Sequence, residues 1–194
     1  MKSTAYNINV SHDKSPVQRS QGYASAEDFC AIFRDNVDSL YSLALMLTGS
    51  EEVANKAFLD ALDDCRDGRA VFQEWARSWS RRAVIKSAIR LLDPVRSGAN
   101  PESNAELDTV ARQVHPSLRW LFQVARLERF VFVISVLEGH TVRECATLLG
   151  TGPRELEEAR ARALHRLASK LQDIPRTSYV KNSKSGVKAS FSLP

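Results

Sequence analysis

The sequence predicts an all-α protein of two small helical domains joined by a linker, the C-terminal one a helix-turn-helix. Apolar residues recur at helical spacing in two separate blocks of the 194 residues, on either side of a stretch rich in Pro, Gly, Ser and Asn. Capping residues and glycines stand where helices would begin and end. We predict a flexible tail (1–25), a helical domain (26–96), a linker (97–117), a helix-turn-helix domain (118–172) and a basic flexible tail (173–194).

Composition and charge narrow the possible classes of protein. The longest apolar runs are too short to span a bilayer and the N-terminus lacks an apolar signal core, so we expect a cytoplasmic protein with no membrane contact. The three cysteines and four histidines complete no zinc pattern, so we expect small buried thiols and no cofactor. The net charge of +4 hides an acidic block (26–64, net −7) followed by a basic one (65–90, net +5). The two blocks are explained equally well as protein-facing and nucleic-acid-facing surfaces or as solvated helical faces that attract each other.

Ser25 begins the first predicted helix, and carboxylates follow in its first turn. A single helical stripe then runs as far as Thr48-Gly49, and its apolar members are Phe29, Ile32, Phe33, Val37, Leu40, Ala44 and Leu47. Ser50 can cap a second, acidic helix that extends to about Cys65.

A basic amphipathic helix is predicted next, and Asp93-Pro94 ends it. Its cationic side chains can meet phosphates while an aromatic ring stacks on an unpaired base. These cations are Arg77, Arg81, Arg82, Lys86 and Arg90. Trp75 and Trp79, one turn apart, are also explained as core residues, and that interpretation is preferred for the two tryptophans, whereas nucleic-acid contact is preferred for the arginines.

The segment 97–117 contains the predicted linker, and a short helix is expected near Leu107–Val114. From 127 to 167 we predict three further helices. The first buries Leu127, Phe130, Val131, Ile134 and Leu137. The run Phe130–Ile134 could be a buried strand, but no turn residues bound it and the helical pattern extends past it on both sides.

Local signals place the ends of the last two helices. Gly139 suits a helix C-terminus, and Thr141 with Glu144 forms a T-x-x-E capping box. Gly150 ends this short helix, and Pro153 suits the first position of the longer helix that follows. A short helix, a glycine-containing turn and a longer helix are typical of a helix-turn-helix, whose second helix commonly enters the DNA major groove.

At 100° per residue the longer helix presents an unusual outward face. Its members are Arg154, Glu157, Glu158, Ala161 and His165, with Arg162 at the margin. A glutamate can accept a hydrogen bond from the cytosine amino group, but carboxylates also repel phosphates. We therefore expect DNA contact from Arg154, Glu157, Glu158, Ala161 and Arg162 to be weak or altered.

Two stretches resemble the extracytoplasmic-function type of sigma-70 factor. Leu137-Glu138-Gly139, Thr141, Glu144, Ala146, Leu149-Gly150 and the later Arg162-Ala163 and Arg166-Leu167 resemble conserved region 4, and Leu40–Gly49 resembles region 2. The helix with Trp75, Trp79 and Arg81 is similar to the one that reads and melts the −10 promoter element, although Arg82 and Lys86 replace the family's Asn and Asp. The resemblance implies that the helix after Ser50 docks on RNA polymerase. Its expected contacts are Glu51, Glu52, Asn55, Lys56, Leu59 and Asp60, although Asn55, Lys56 and Leu59 depart from the family pattern.

Two functional hypotheses follow. The first is a transcription initiation factor that binds core RNA polymerase and promoter DNA, and we prefer it because of the basic helix at 77–90. The second is a degenerate sigma-like module that binds proteins, such as polymerase or an anti-sigma factor, with little sequence-specific DNA binding. Lys56, Leu59, Glu157 and Glu158 favour the second hypothesis. We do not expect an enzyme, because the sequence carries no Gly-rich phosphate loop, metal spacing or nucleophile–base motif.

Overall fold

All regular secondary structure in the described residues is helical. The structure is a computed structural model that describes residues 22–68, 70–96 and 104–172, apart from the side chains of 104–106 and 171–172. The α-helices are α1 (Ala26–Asp35), α2 (Val37–Thr48), α3 (Glu51–Arg66), α4 (Ala76–Leu92), α5 (Asn104–Gln113), α6 (Arg126–Phe132), α7 (Val142–Leu149) and α8 (Pro153–Gln172), and a 3₁₀ helix spans Pro116–Gln123. The all-α prediction is confirmed for this part of the chain. The predicted tails up to residue 21 and from 173, and the linker residues 97–103, lie outside the described ranges.

The single helix predicted from Ser25 to Thr48 is two helices, so that prediction is wrong. Asn36 leaves helical geometry at φ −124° and ψ 25°, and its side-chain amide donates to the Ile32 carbonyl at 2.8 Å. This local hydrogen bond competes with continuation of the helix, as asparagine side chains commonly do. Val37, predicted to be part of the apolar stripe, is consequently exposed.

The helix ends follow the local signals of the sequence. Ser25 with Asp28 and Thr141 with Glu144 both form reciprocal capping boxes, and Gly150 takes the left-handed conformation after α7. Pro153 is the first residue of α8.

The end of the predicted N-terminal tail, residues 22–25, is described and is held in place. Tyr23 forms an isolated antiparallel bridge with Phe72, and the Ala24 N–H donates to the Val71 carbonyl at 2.7 Å. The prediction of a flexible tail is therefore wrong for residues 22–25. Pairing of these backbone groups needs a partner segment beyond α3, which the polar sequence of the tail does not indicate.

The buried hydrophobic residues form one cluster to which helices on both sides of residues 97–103 contribute. Leu107 and Val110 of α5 and Val114 directly after it are buried in it, so the latter half of the predicted linker contains a packed helix. α2 contacts α6, and α4 contacts α7. The division of the chain into two domains stays a prediction.

A buried arginine joins these two parts of the cluster. Arg129 of α6 is fully buried and donates through Nε and Nη2 to the carbonyls of Leu47 and Thr48, both at 3.2 Å. These carbonyls lie at the C-terminus of α2, where a cation is favoured by the helix dipole. Gly49 follows at φ 72°, and a Cβ there would lie 2.9 Å from Arg129 Nη1. The glycine is required both by its backbone conformation and by the approach of the guanidinium.

A π-helical turn follows α6 at Val133–Leu137 and changes which residues face the core. The Glu138 N–H donates to the Val133 carbonyl, five residues back, at 3.0 Å. The extra residue in the turn rotates Leu137 outward, although its i+3 and i+4 spacing predicts burial. The helical prediction for Phe130–Ile134 is confirmed, and the prediction that Leu137 is buried is wrong.

Cys65 and Cys145 are buried as predicted, whereas Cys30 is exposed, so the prediction of buried thiols is wrong for that residue. Burial raises the pKa of the Cys65 thiol to about 11 and also raises that of Cys145. Both thiols are therefore protonated near neutral pH and are poor nucleophiles. No helix in the described ranges is both long and apolar enough to cross a membrane.

Candidate nucleic-acid interface

One face of α4 and of the turn before it carries aromatic residues at one end and cations at the other. Trp75 ends a 3₁₀ turn, and Trp79, Arg82 and Lys86 follow at intervals of four, three and four residues. Residues at this spacing lie on the same side of a helix, and the eleven positions from the first to the last cover about 16 Å along its axis. We call these four residues the α4 face.

Both tryptophans are exposed, so the interpretation of Trp75 and Trp79 as core residues is wrong. Trp75 is 57% and Trp79 37% accessible to solvent. About 100° around α4 from this face lies a row of small buried residues, and α3, the helix that α4 contacts most, buries mainly alanines. These residues are Ala76, Ser80, Ala83 and Ser87 on α4, with Ala54, Ala57 and Ala61 on α3. Because a close approach of two helices leaves no room for an indole, the large rings lie on the free side.

A cavity of about 430 Å³ opens on the α4 face. Its lining residues are Asp64, Trp79, Arg82, Ala83 and Lys86. Lys86 Nζ lies 5.6 Å from the centroid of the Trp79 ring, within the range of a cation–π interaction. The carboxylate of Asp64 is paired with Arg90 at 3.0 Å. An aromatic wall beside two cations suits a planar base with a nearby phosphate.

Two further aromatic residues adjoin the α4 face, and the sequence interpretation did not include them among the binding residues. The Tyr23 and Phe72 rings stack at a centroid distance of 4.8 Å, and Phe72 meets Trp75 edge to face at 5.4 Å. Phe72 could have been found, because it stands three residues before Trp75 on the same stripe. Tyr23 could not, because its place depends on the bridge to Phe72.

Arg77 and Arg81 do not share the α4 face. At 100° per residue both point more than about 120° away from it, although Arg77 is exposed. Arg81 is engaged by two side chains, because its Nε donates to Glu138 Oε2 at 2.6 Å and its Nη1 to Ser39 Oγ at 2.8 Å. The hydrogen bonds to Glu138 raise the pKa of Arg81 above its usual range.

The Arg81 head therefore does not remain in solvent, contrary to the sequence interpretation. The reason is the Glu138 carboxylate, whose side chain is only 7% exposed and needs a partner. The π-helical turn brings Glu138 to this position. Arg81 is thus a structural contact between α4 and the residues that follow α6.

The outward face of α8 is acidic, as its spacing predicts. Arg154, Glu157, Glu158 and Ala161 are exposed, and Arg154 pairs with Glu158 at 3.1 Å. This pairing occupies the cation nearest to the N-terminus of α8. The face therefore presents the Glu157 carboxylate, one ion pair, an alanine methyl group and the exposed His165 imidazole.

Arg162 leans toward α6 and is not aligned with the other predicted DNA contacts. Its Nε donates to Glu128 Oε1 at 2.7 Å, and Arg166 approaches the other carboxylate oxygen at 3.6 Å. The Glu128 side chain is 6% exposed. A buried carboxylate without a cation is unfavourable, so Arg162 is held against α6 and only half of it is exposed.

The residues predicted to contact polymerase lie mostly on the free side of α3. Glu52, Asn55, Lys56 and Leu59 are exposed, and Leu59 is 57% accessible to solvent. Asp60 is half-buried. Glu51 accepts a hydrogen bond from the Gln113 side chain of α5, so this carboxylate is partly occupied within the chain.

Comparisons of the chain with protein-family models, with curated proteins and with solved structures gave no match. Among the described residues, no three His, Cys, Asp or Glu side chains are arranged to hold a metal ion. The functional argument therefore rests on the surfaces described above.

Proposed function

We propose that this protein is a sigma-factor-like transcription initiation protein that binds core RNA polymerase and promoter DNA. The observation that carries the proposal is the α4 face, where Trp75 and Trp79 are exposed beside Arg82 and Lys86. Exposed aromatic rings with adjacent cations suit the unpaired strand of an opened promoter, because bases stack on the rings while phosphates meet the cations. The same helix resembles the one that melts the −10 element in the sigma family.

The segments α7 and α8 would serve as the helix-turn-helix of a second, C-terminal domain. The reciprocal capping box at Thr141, the left-handed Gly150 and Pro153 at the start of α8 favour this arrangement. In this proposal Arg154, Glu157, Glu158 and Ala161 face the major groove. Arg162 contributes through its contact with Glu128, which fixes α8 against α6.

The exposed side of α3 would dock on core polymerase. Leu59 supplies an apolar contact on this side, and the polar Glu52, Asn55 and Lys56 lie N-terminal to it on the same side. An apolar residue within a polar rim is typical of the centre of a protein interface. The negative charge of the block 26–64 would favour a basic partner surface.

A second candidate function is a degenerate sigma-like module that binds polymerase or an anti-sigma partner without reading DNA sequence. The acidic face of α8 favours it, because the exposed Glu157 carboxylate would repel nearby phosphates. The engagement of Arg81 by Glu138 and of Arg162 by Glu128 also removes two cations that DNA binding could have used.

Two measurements on the full chain distinguish the candidates. Pull-down with purified core polymerase tests the partner that the first candidate requires and the second allows, and promoter-dependent transcription in vitro tests the first alone. We expect binding and transcription, with Trp79→Ala losing transcription while it retains polymerase binding. Polymerase binding without any promoter-dependent transcript would leave the second candidate, and the absence of both would reject the first candidate and limit the second to an anti-sigma partner.

A further inference from the structure

We infer that Tyr23, Phe72 and Trp75 form a stacking platform that extends the α4 face and binds the bases of single-stranded DNA. Tyr23 would be the outermost binding residue. The inference rests on the proposed function, because it assigns a further part of the single-strand site to a segment that precedes the first helix.

The three rings are held as one unit. The Tyr23 and Phe72 rings lie 4.8 Å apart at an interplanar angle of 21°, and Trp75 meets Phe72 at 84°. Backbone hydrogen bonds fix the two segments beneath them, from Ala24 to Val71 at 2.7 Å and from Gln73 to Gly22 at 3.0 Å. An aromatic ring that is already packed against another loses little conformational freedom when a ligand stacks on it.

Exposure shows which rings a ligand can reach. Tyr23 is 61% and Phe72 41% accessible to solvent, although each covers part of the other. Because Phe72 occupies one face of the Tyr23 ring, the remaining accessible surface of Tyr23 includes its other face. Adjacent exposed rings in a polar surface mark a binding site more often than scattered apolar residues do.

Charge decides the class of ligand. Trp79 follows Trp75 by one turn, and Arg82 and Lys86 continue the same stripe. A ligand that stacks on the platform and follows the α4 face therefore reaches two cations within about 16 Å of Trp75. Planar groups joined by a backbone of regularly spaced negative charges meet both requirements, and a single strand of DNA is such a ligand. In a duplex the bases are already stacked on each other and cannot use the platform.

The test measures fluorescence anisotropy of a labelled single-stranded deoxyoligonucleotide with the full chain and its variants. Tyr23→Phe keeps the ring and should bind as the unchanged protein does. Tyr23→Ala and Tyr23→Leu should each weaken binding about 5- to 150-fold, the range that loss of one base–aromatic stack gives. Leucine retains apolar bulk, so its failure to rescue would identify stacking as the cause. The matched duplex should be bound equally by all three variants.

Val37→Ala is the control, because Val37 is an exposed apolar residue away from the α4 face. It lies near Ser39, which contacts Arg81 on another side of α4. Unchanged single-strand binding by Tyr23→Ala, or rescue by leucine, overturns the inference. A Tyr23→Ala effect on polymerase binding but not on the oligonucleotide would also overturn it, because the platform would then contact protein. Loss of polymerase binding in the unchanged protein, with oligonucleotide binding intact, would count against the proposed function alone.

Discussion

The α4 face and the outward face of α8 have the same predicted role but opposite chemistry. The α4 face exposes two tryptophans beside Arg82 and Lys86, whereas α8 exposes Glu157 and an Arg154–Glu158 pair. Both helices carry several arginines, so their amino-acid composition does not explain why the two faces differ. The difference arises from what lies behind each helix. α4 packs small residues toward α3 and keeps Trp75 and Trp79 in solvent, while the buried Glu128 pairs with the half-exposed Arg162 of α8.

This comparison teaches that arginines on a helix cannot be counted as DNA contacts without knowing which carboxylates lie near them. Arg81 and Arg82 are neighbours in the chain, yet Arg81 meets Glu138 and Ser39 while Arg82 lines the cavity beside Trp79. The surface available to a phosphate is what remains after buried carboxylates have been neutralised.

The largest effect is expected for Trp79 on the α4 face. Trp79→Ala should weaken single-stranded DNA binding about 5- to 150-fold, because it removes the aromatic wall of the cavity. Leu164 on α8 is a matched control, since its 38% exposure equals that of Trp79 within a percentage point. Oligonucleotide titration followed by intrinsic fluorescence or anisotropy measures both. An equal loss in Leu164→Ala would show that the two faces do not differ as proposed.

Arg81→Ala and Arg82→Ala should separate structure from binding. Arg81→Ala leaves the Glu138 carboxylate without its cation and should lower the free energy of unfolding by about 1–3 kcal/mol. Arg82→Ala should leave stability nearly unchanged and reduce the slope of log affinity against log salt by about 0.7 on single strands. Denaturant unfolding and salt titration test the pair. If Arg81→Ala alone reduced the salt slope of DNA binding, Arg81 and not Arg82 would be the phosphate contact.

Reversal of charge on α8 tests whether its acidic face lies near DNA. Glu157→Lys with Glu158→Ser removes both carboxylates and frees Arg154 from its partner. If the helix enters the major groove, duplex affinity should rise, and its salt slope should steepen by about 0.9 for each additional phosphate that the protein neutralises.

Glu52→Lys supplies a control for this charge reversal, because it replaces an exposed carboxylate by a cation on α3 and raises the net charge by two, against three for the α8 variant. An equal rise in duplex affinity from Glu52→Lys would show a general effect of net charge. Unchanged DNA affinity with weaker polymerase binding in the α8 variant would favour the protein-binding candidate.

The smallest effect concerns the two capping boxes. Ser25→Ala should destabilise the protein by about 1 kcal/mol. Hydrogen bonds from the Ser25 N–H and, second, from the Ser25 hydroxyl lower the pKa of Asp28 below 3.8, and Ser25→Ala removes only the hydroxyl. The ionised Asp28 carboxylate therefore contributes its full stabilisation of the folded state above pH 3.8. This contribution is lost as the pH falls through the lowered pKa of the folded state. Unfolding measured across the acid range should show less pH sensitivity in Ser25→Ala than in the unchanged protein.

Thr141→Ala is the matched variant for Ser25→Ala, because it removes the other capping box, which lies at the start of α7 and away from the aromatic platform. Asp28 also accepts from the Gln73 side chain at 3.3 Å, next to Phe72. Ser25→Ala should therefore weaken single-strand binding slightly, whereas Thr141→Ala should not. Equal binding by both variants would show that the Asp28 contact does not support the platform.

The sequence by itself determined the helices and most of their ends. Ser25, Thr141, Gly150 and Pro153 act on backbone groups within a few residues, so their effect can be read from the order of residues. The break at Asn36 is local too, but an asparagine between two apolar turns is compatible with either one helix or two.

Only the tertiary structure decided which side chains remain available for binding. Arg81 meets Glu138 across 57 positions of the chain, Arg162 meets Glu128 across 34, and Tyr23 reaches Phe72 from before the first helix. Helical periodicity specifies the direction of a side chain on its own helix, but not the neighbour that it meets there. A buried carboxylate takes the nearest cation because leaving it unpaired is unfavourable, and the row of alanine and serine on α4 leaves no room for an indole on the side where it packs.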